Sequence, residues 1–168
     1  MDILIVDGYN IIGAWPELIS LKNKDLGEAR DALVEKMAEY QAVTGYRVIV
    51  VFDAHYVQGI EKKYHNYKVE VIFTKENESA DERIEKLASL LSNRKTQVHV
   101  ATSDYTEQWV IFGQGALRKS ARELRNEMKL IQKSIEKNVK IIQKNKPISK
   151  IPLSDEIAEI FEKWRRER

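Results

Sequence analysis

Asp7, Asp53, Asp81 and Asp104 are the residues of this chain best placed for chemistry, because each stands at or beyond the carboxyl end of an apolar run. Asp7 ends Ile-Leu-Ile-Val-Asp, Asp53 ends Val-Ile-Val-Val-Phe-Asp, Asp104 follows Val-His-Val-Ala-Thr-Ser, and Asp81 lies past Val-Glu-Val-Ile-Phe. In an open parallel sheet those ends share one edge, where such folds build their sites, so four sequence-distant acids are expected to converge. Carboxylates gathered without cations repel one another. A divalent cation removes the conflict, and hard oxygen ligands favour magnesium or manganese, held by a few carboxylates, water and substrate phosphate. The chemistry this suits is phosphodiester hydrolysis. Bound water becomes more acidic and nucleophilic, and the same ion, or a second about 4 Å away, offsets charge on the phosphorane and leaving oxygen.

Each aspartate also has a plainer role open to it. An Asp after a strand often caps the next helix or forms a turn. Asp104 and Glu107 have the spacing of a capping pair, and Asp81 in a first helical turn is favoured by the dipole. Glu82 is explained as the capping-box partner of Ser79.

The rest of the inventory narrows the field. The chain of 168 residues has no cysteine, which excludes thiolate nucleophiles, disulfide-linked partners and Cys-ligated zinc or iron–sulfur sites. His55, His65 and His99 lack metal-ligand spacing; His99 lies inside an apolar run and reads as a core residue, while His55 is either near the site or a loop residue. Asp7-Gly-Tyr-Asn-Ile-Ile-Gly13 does not space its glycines as a dinucleotide site does, no P-loop is present, and no serine has the Gly-x-Ser-x-Gly context.

With 43% hydrophobic and 32% charged residues, the composition is that of a water-soluble globular protein. No basic leader precedes Ile3-Leu4-Ile5-Val6 and no apolar run approaches the ~20 residues of a membrane span, so a cytoplasmic location without a membrane partner is expected. Charge is uneven: residues 1–117 hold 13 Lys and Arg against 18 Asp and Glu, and residues 118–168 hold 15 against 8. An acidic centre beside a basic surface that holds a polyanion would have this distribution, and so would a solvated basic helix.

The elements that must position the aspartates follow from periodicity. Strands are expected at Ile3 to Val6, Arg47 to Phe52, Val69 to Phe73 and Gln97 to Ala101, with a weaker one around Ala116 to Lys119. Leu26 to Gln41 has helical spacing in Leu33, Met37 and Tyr40, with Gly45 as a stop. This alternation predicts βαβ units and a parallel sheet covered by helices. Ser79-Ala-Asp-Glu82 and Ser120-Ala-Arg-Glu123 both match the capping box. The second opens a basic amphipathic helix, about Ser120 to Lys137, with Leu124, Met128, Ile131 and Ile135 as its stripe. Asn138 to Gln143 reads as one more short strand, Lys144 to Ser154 as a connector with Pro147 and Pro152, and Ser154 as the cap of a final helix ending in Trp164-Arg-Arg-Glu-Arg168.

Val6-Asp7-Gly8-Tyr9-Asn10, Phe52-Asp53-Ala54, Ser79-Ala80-Asp81-Glu82 and Thr102-Ser103-Asp104 together resemble the NYN branch of the PIN-like nucleases, in order and spacing, over roughly residues 1–143. Ser120-Ala121-Arg122-Glu123 and the basic C-terminal segment make the likeness closest to the YacP type. The resemblance implies a PIN-like three-layer α/β/α sandwich with a mostly parallel central sheet: a nuclease domain over residues 1–143 and a basic extension over 144–168, its terminal helix packed on or near that domain. It also implies a magnesium- or manganese-dependent endoribonuclease that associates with ribosomal RNA and proteins near the A site and cuts mRNA during translation. Carried over by motif, Asp7 and Asp81 are the principal metal ligands, Asp53 and Asp104 complete the catalytic pocket with Asp104 also on the metal, and Asn10 orients a ligand or phosphate. Apart from Glu82 the acidic set has no clear glutamate, which leaves a one-metal and a two-metal mechanism both open.

RNA binding needs cations for phosphate and flat faces for bases. Arg118, Lys119, Arg122 and Arg125 supply the first; Tyr9, Tyr56, Tyr105 and Trp109 are candidates for the second, or else rim and core residues. Lys144 to Arg168 reads equally as a docking arm and as helix packing. A catalytically silent RNA- or ribosome-binding module of the same fold, and a small-molecule phosphohydrolase, are the competing functions.

Overall fold

The apolar run at the start of the chain becomes the centre of the sheet. In this computed structural model, residues 1–54, 68–103 and 115–144 are described. The strands are β1 (Asp2–Asp7), β2 (Arg47–Phe52), β3 (Glu70–Phe73), β4 (Gln97–Ala101) and β5 (Leu117–Lys119). They pair in the order β3-β2-β1-β4-β5, every pair parallel, so the sheet is fully rather than mostly parallel among the described residues. The chain builds outward from β1 through β2 to β3, then returns to the other side of β1 with β4. The order therefore reverses between β1 and β4, and in such folds the crevice at the carboxyl ends of those two strands is the ligand-binding position.

β1 and β2 are buried almost throughout, which is why they read as continuous apolar runs rather than alternating ones. Leu4, Val6, Val48, Val50 and Phe52 pack under α1 (Gly8–Ala14), α3 (Leu26–Thr44) and α5 (Ala121–Lys144), with α2 (Pro16–Lys24) beside them. Ile3, Ile5, Ile49, Val51, Val98 and Val100 meet Ile84 and Ala88 of α4 (Ala80–Leu91) on the opposite face. Two helical layers around one sheet make the α/β/α sandwich.

Local chemistry sets the helix ends. Asp25 accepts from the Gly27 amide at 2.8 Å to start α3, and Gly45, at φ 77°, ends it in the left-handed conformation that glycine adopts without strain. Ser120 Oγ accepts from the Glu123 amide and bonds its carboxylate, both at 3.1 Å, which realises that capping pair. Ser79 Oγ accepts from the Glu82 amide at 3.2 Å.

One expectation changes. Asn138 to Gln143 is not a strand: α5 continues through it to Lys144. No Pro or Gly interrupts the sequence there, and extending a helix already nucleated at Ser120 needs only one more residue fixed per hydrogen bond. α1 and α2 had no periodic signature, since α1 spans seven residues, two of them glycine. Gly8 is required where it stands: a Cβ there would lie 2.3 Å from the Phe52 ring, so only glycine lets α1 begin directly against β2. Residues 144–168, bar the last helical residue Lys144, lie outside the described residues, and with them the connector and final helix. Among the described residues no helix is long and apolar enough to cross a membrane.

Candidate active site

Asp7, Asp53 and Asp81 line one open cavity of about 440 Å³ at the carboxyl edge of the sheet, together with Tyr9, Asn10 and Lys22. Three of the four expected acids therefore do converge. Asp104 lies outside the described residues, as do His55, Tyr56, Tyr105 and Trp109.

Asp7 sits where a helix cap would, yet its carboxylate makes no cap hydrogen bond to α1. It is 7% exposed and accepts from Thr102 Oγ1 at 3.5 Å, across the gap between β1 and β4. The capping role open to it in the sequence is not the one it fills. For Asp81 the cap is provided by another residue, Ser79, so its carboxylate in the first turn of α4 is available to the cavity. Asp53 is held by its neighbours: buried Thr74 donates its amide to the Phe52 carbonyl at 3.0 Å and accepts from the Ala54 amide at 2.9 Å.

Asn10 closes the switch point. Its side-chain oxygen accepts from the Ser103 amide at 2.6 Å and from the Ser103 hydroxyl at 2.8 Å, which ties α1 to the end of β4. With that oxygen committed, the Nδ2 amide is what Asn10 has left to offer a ligand. Tyr9 packs its ring on Phe52, 5.0 Å between centroids, and accepts from Arg30 Nη1 at 3.1 Å. Arg30 is a buried cation, 5% exposed, whose Nε has no hydrogen-bond partner among the described residues. Neither Arg30 nor Lys22 was expected from the sequence. Arg30 left a trace there, a cation amid the apolar Ala29, Leu33 and Val34; Lys22 left none.

A second cavity, about 480 Å³, is lined by Ser103, Arg118, Arg122 and Arg125 with Trp15 and Ser120. Arg125 is paired to Glu17 at 3.1 Å. Lys119, grouped with these arginines in the sequence, is set apart from them by the structure. Its ammonium bonds the Glu127 carboxylate and lies 3.3 Å from the Tyr40 hydroxyl, with the side chain only 13% exposed. Burial first, and then the Glu127 hydrogen bond, push the Tyr40 phenol well above its ordinary range, so it donates to Glu127 at 2.7 Å and keeps its proton. His99 lies against Tyr46, 5.5 Å between ring centroids, and meets Asp2 at 3.2 Å at the opposite end of β1 from Asp7, so it is a partly buried residue paired to a carboxylate rather than the core residue expected.

Glu78 anchors the segment that delivers Asp81. Its buried carboxylate accepts from Arg83 Nε at 2.7 Å and Lys86 Nζ at 3.0 Å, and those bonds, Arg83 first, hold its pKa down to about 2. A depressed carboxylate contributes stability that is complete above its ordinary pKa of 4.5 and is lost as pH falls toward 2. Glu78→Gln should therefore flatten the fall of unfolding free energy between pH 4.5 and about 2, as read by urea titrations at a series of pH values. A slope unchanged from the parent would contradict it.

Among the described residues that line the first cavity, the polar side-chain groups other than Lys22 and the Asn10 amide are oxygen donors, a set that suits magnesium or manganese rather than softer metals. Among the described residues no three acidic or imidazole side chains are close enough to enclose a cation alone. Magnesium commonly binds through one or two carboxylates and completes its shell with water and phosphate, so this spacing is compatible with it.

Residues 4–166 match the pattern of the YacP-like NYN domain. The chain is 68% identical over 166 residues to "Uncharacterized protein YacP" of Bacillus subtilis (strain 168), covering 99% of this chain and 98% of that protein. It is also similar to the crystal structure of Rae1 (YacP) from Bacillus subtilis, with TM-score 0.79 and 67% identity over 99% of this chain and 95% of that one. The W164L mutant of Rae1 gives TM-score 0.78 and 61% identity, over 99% and 96%.

Proposed function

This chain belongs to the YacP-like NYN domain family, part of a nuclease superfamily, and on that premise we propose that it is a divalent-metal-dependent endoribonuclease that cuts mRNA on the ribosome, in the A site. The observation that carries the reading is the convergence of Asp7, Asp53 and Asp81 on one cavity with Asn10, whose partner Ser103 lines a cleft with three arginines. In this reading Asp7 and Asp81 hold magnesium or manganese, with Asp104 as a further ligand and Asp53 completing the pocket. The ion supplies Lewis acidity toward the scissile phosphate and an acidified water. Asn10 orients a phosphate oxygen through its amide. Tyr9, braced by Phe52 and Arg30, presents a ring face to a base, and Arg118, Arg122 and Arg125 take the flanking phosphates.

A cytoplasmic enzyme of this kind should co-sediment with translating ribosomes, less so as salt rises, and should leave a reproducible cut in translated mRNA. Mapping of RNA ends with and without the protein tests this. Salt-sensitive association without any cut would instead establish the silent binding module.

A further inference from the structure

Among the described residues that line the carboxylate cavity, Lys22 is the one basic side chain. It stands in the last turn of α2 with Lys24, and a cation there complements the helix dipole, which accounts for a lysine at either position. The dipole does not account for the difference between them: Lys22 lines the cavity and Lys24 does not. An exposed ammonium and three carboxylates on one cavity suit a group that satisfies both charges. A phosphodiester brought in with a divalent cation is such a group, with the cation facing the carboxylates and an anionic oxygen facing the lysine.

We propose that Lys22 is a catalytic residue that contacts a non-bridging oxygen of the scissile phosphate from the side opposite the aspartates. The inference rests on the endoribonuclease reading and adds to it the group that meets the charge gained by the phosphoryl oxygens. As water adds to phosphorus, the bond to the leaving ribose oxygen breaks; water gives up one proton and the leaving oxygen gains one. Lys22 keeps its own protons throughout and acts by charge and hydrogen bonding, as a compact donor does at a phosphate.

The test compares Lys22→Met, Lys22→Arg and Lys24→Met with the parent protein, by mRNA cleavage on translating ribosomes and by Mn²⁺ titration of the free protein. Lys22→Met should lower the cleavage rate at saturating protein by roughly 100-fold, the scale of losing one preorganised electrostatic contact. Its Mn²⁺ affinity should hold or tighten, because a competing cation has left the carboxylates. Lys22→Arg should retain most of the rate and Lys24→Met all of it. Cleavage by Lys22→Met within about threefold of the parent, Mn²⁺ binding that weakens in step with cleavage, or an equal loss in Lys24→Met would each overturn the proposal. A parent protein that cuts nothing would overturn the nuclease reading and this inference together; a parent that cuts, with Lys22→Met unimpaired, removes this inference alone.

Discussion

Asp7→Asn should abolish mRNA cleavage, by roughly 100-fold or more, while the protein stays folded and no less stable than the parent. The expectation comes from what Asp7 does and does not touch. It occupies a cap position without capping, is nearly buried, and shares a cavity with two further carboxylates. Asparagine has the same shape and still accepts from Thr102, so packing is kept while one negative charge leaves an acidic cluster. A carboxylate retained for structure would cost stability when neutralised; one retained for chemistry should not. Asp81→Asn should behave alike, because Ser79 already caps α4. Mn²⁺ should raise the melting temperature of the parent protein and should do so less in either variant, since only a ligand that binds the native state stabilises it. Full cleavage by both variants would end the nuclease reading. A lower melting temperature in metal-free buffer would show that the carboxylates hold the fold instead.

The largest loss of stability should come from Trp15→Ala. Trp15 ends α1 and precedes α2, is 1% exposed, and donates its indole N–H to the Ala121 carbonyl at 2.8 Å, at the start of α5. Truncating a buried tryptophan costs about 3–5 kcal/mol, and in a domain of this size that lowers the melting temperature by about 10 °C. Trp15→Phe keeps most of the apolar contact and loses the hydrogen bond, so about 1 kcal/mol is expected beyond the change in ring size. Thermal unfolding followed by circular dichroism measures both. The location gives the loss a functional edge, because Trp15 also lines the arginine cleft and couples α5 to the helix that carries Asn10. Unfolding within about 1 kcal/mol of the parent for Trp15→Ala would show that this junction tolerates a cavity.

Most of the sheet was legible in the sequence, because strands buried on both faces must be apolar without interruption, and Asp7 and Asp53 announced themselves by ending such runs. The capping serines were legible for a similar reason: Ser79 and Ser120 sit three residues before a glutamate. What was not legible depended on contacts between distant segments. Lys22 has no local signature, and Thr102 and Ser103 become neighbours of Asp7 and Asn10 only because β1 pairs with β4. Lys119 looked like its neighbour Arg118, and nothing in the local sequence says that Tyr40 and Glu127 will draw it inward. Asn138 to Gln143 misled because Val139, Ile141 and Ile142 suit a strand in isolation, whereas the preceding helix had no reason to stop.

The reversal of strand order at β1 also sets a timetable. β1 is made first and can pair with β2 once about fifty residues exist, but its other edge, Asp2 to Val6, stays open until Gln97 to Ala101 are available. Thr102 and Ser103, which fasten Asp7 and Asn10, come after that. At about 5–20 residues per second of synthesis, several seconds separate the first half-sheet from a finished pocket. In the proposed role, a growing chain has no competent cutting edge until Thr102 and Ser103 have been made, so up to that point the message that encodes it is spared by its own unfinished product.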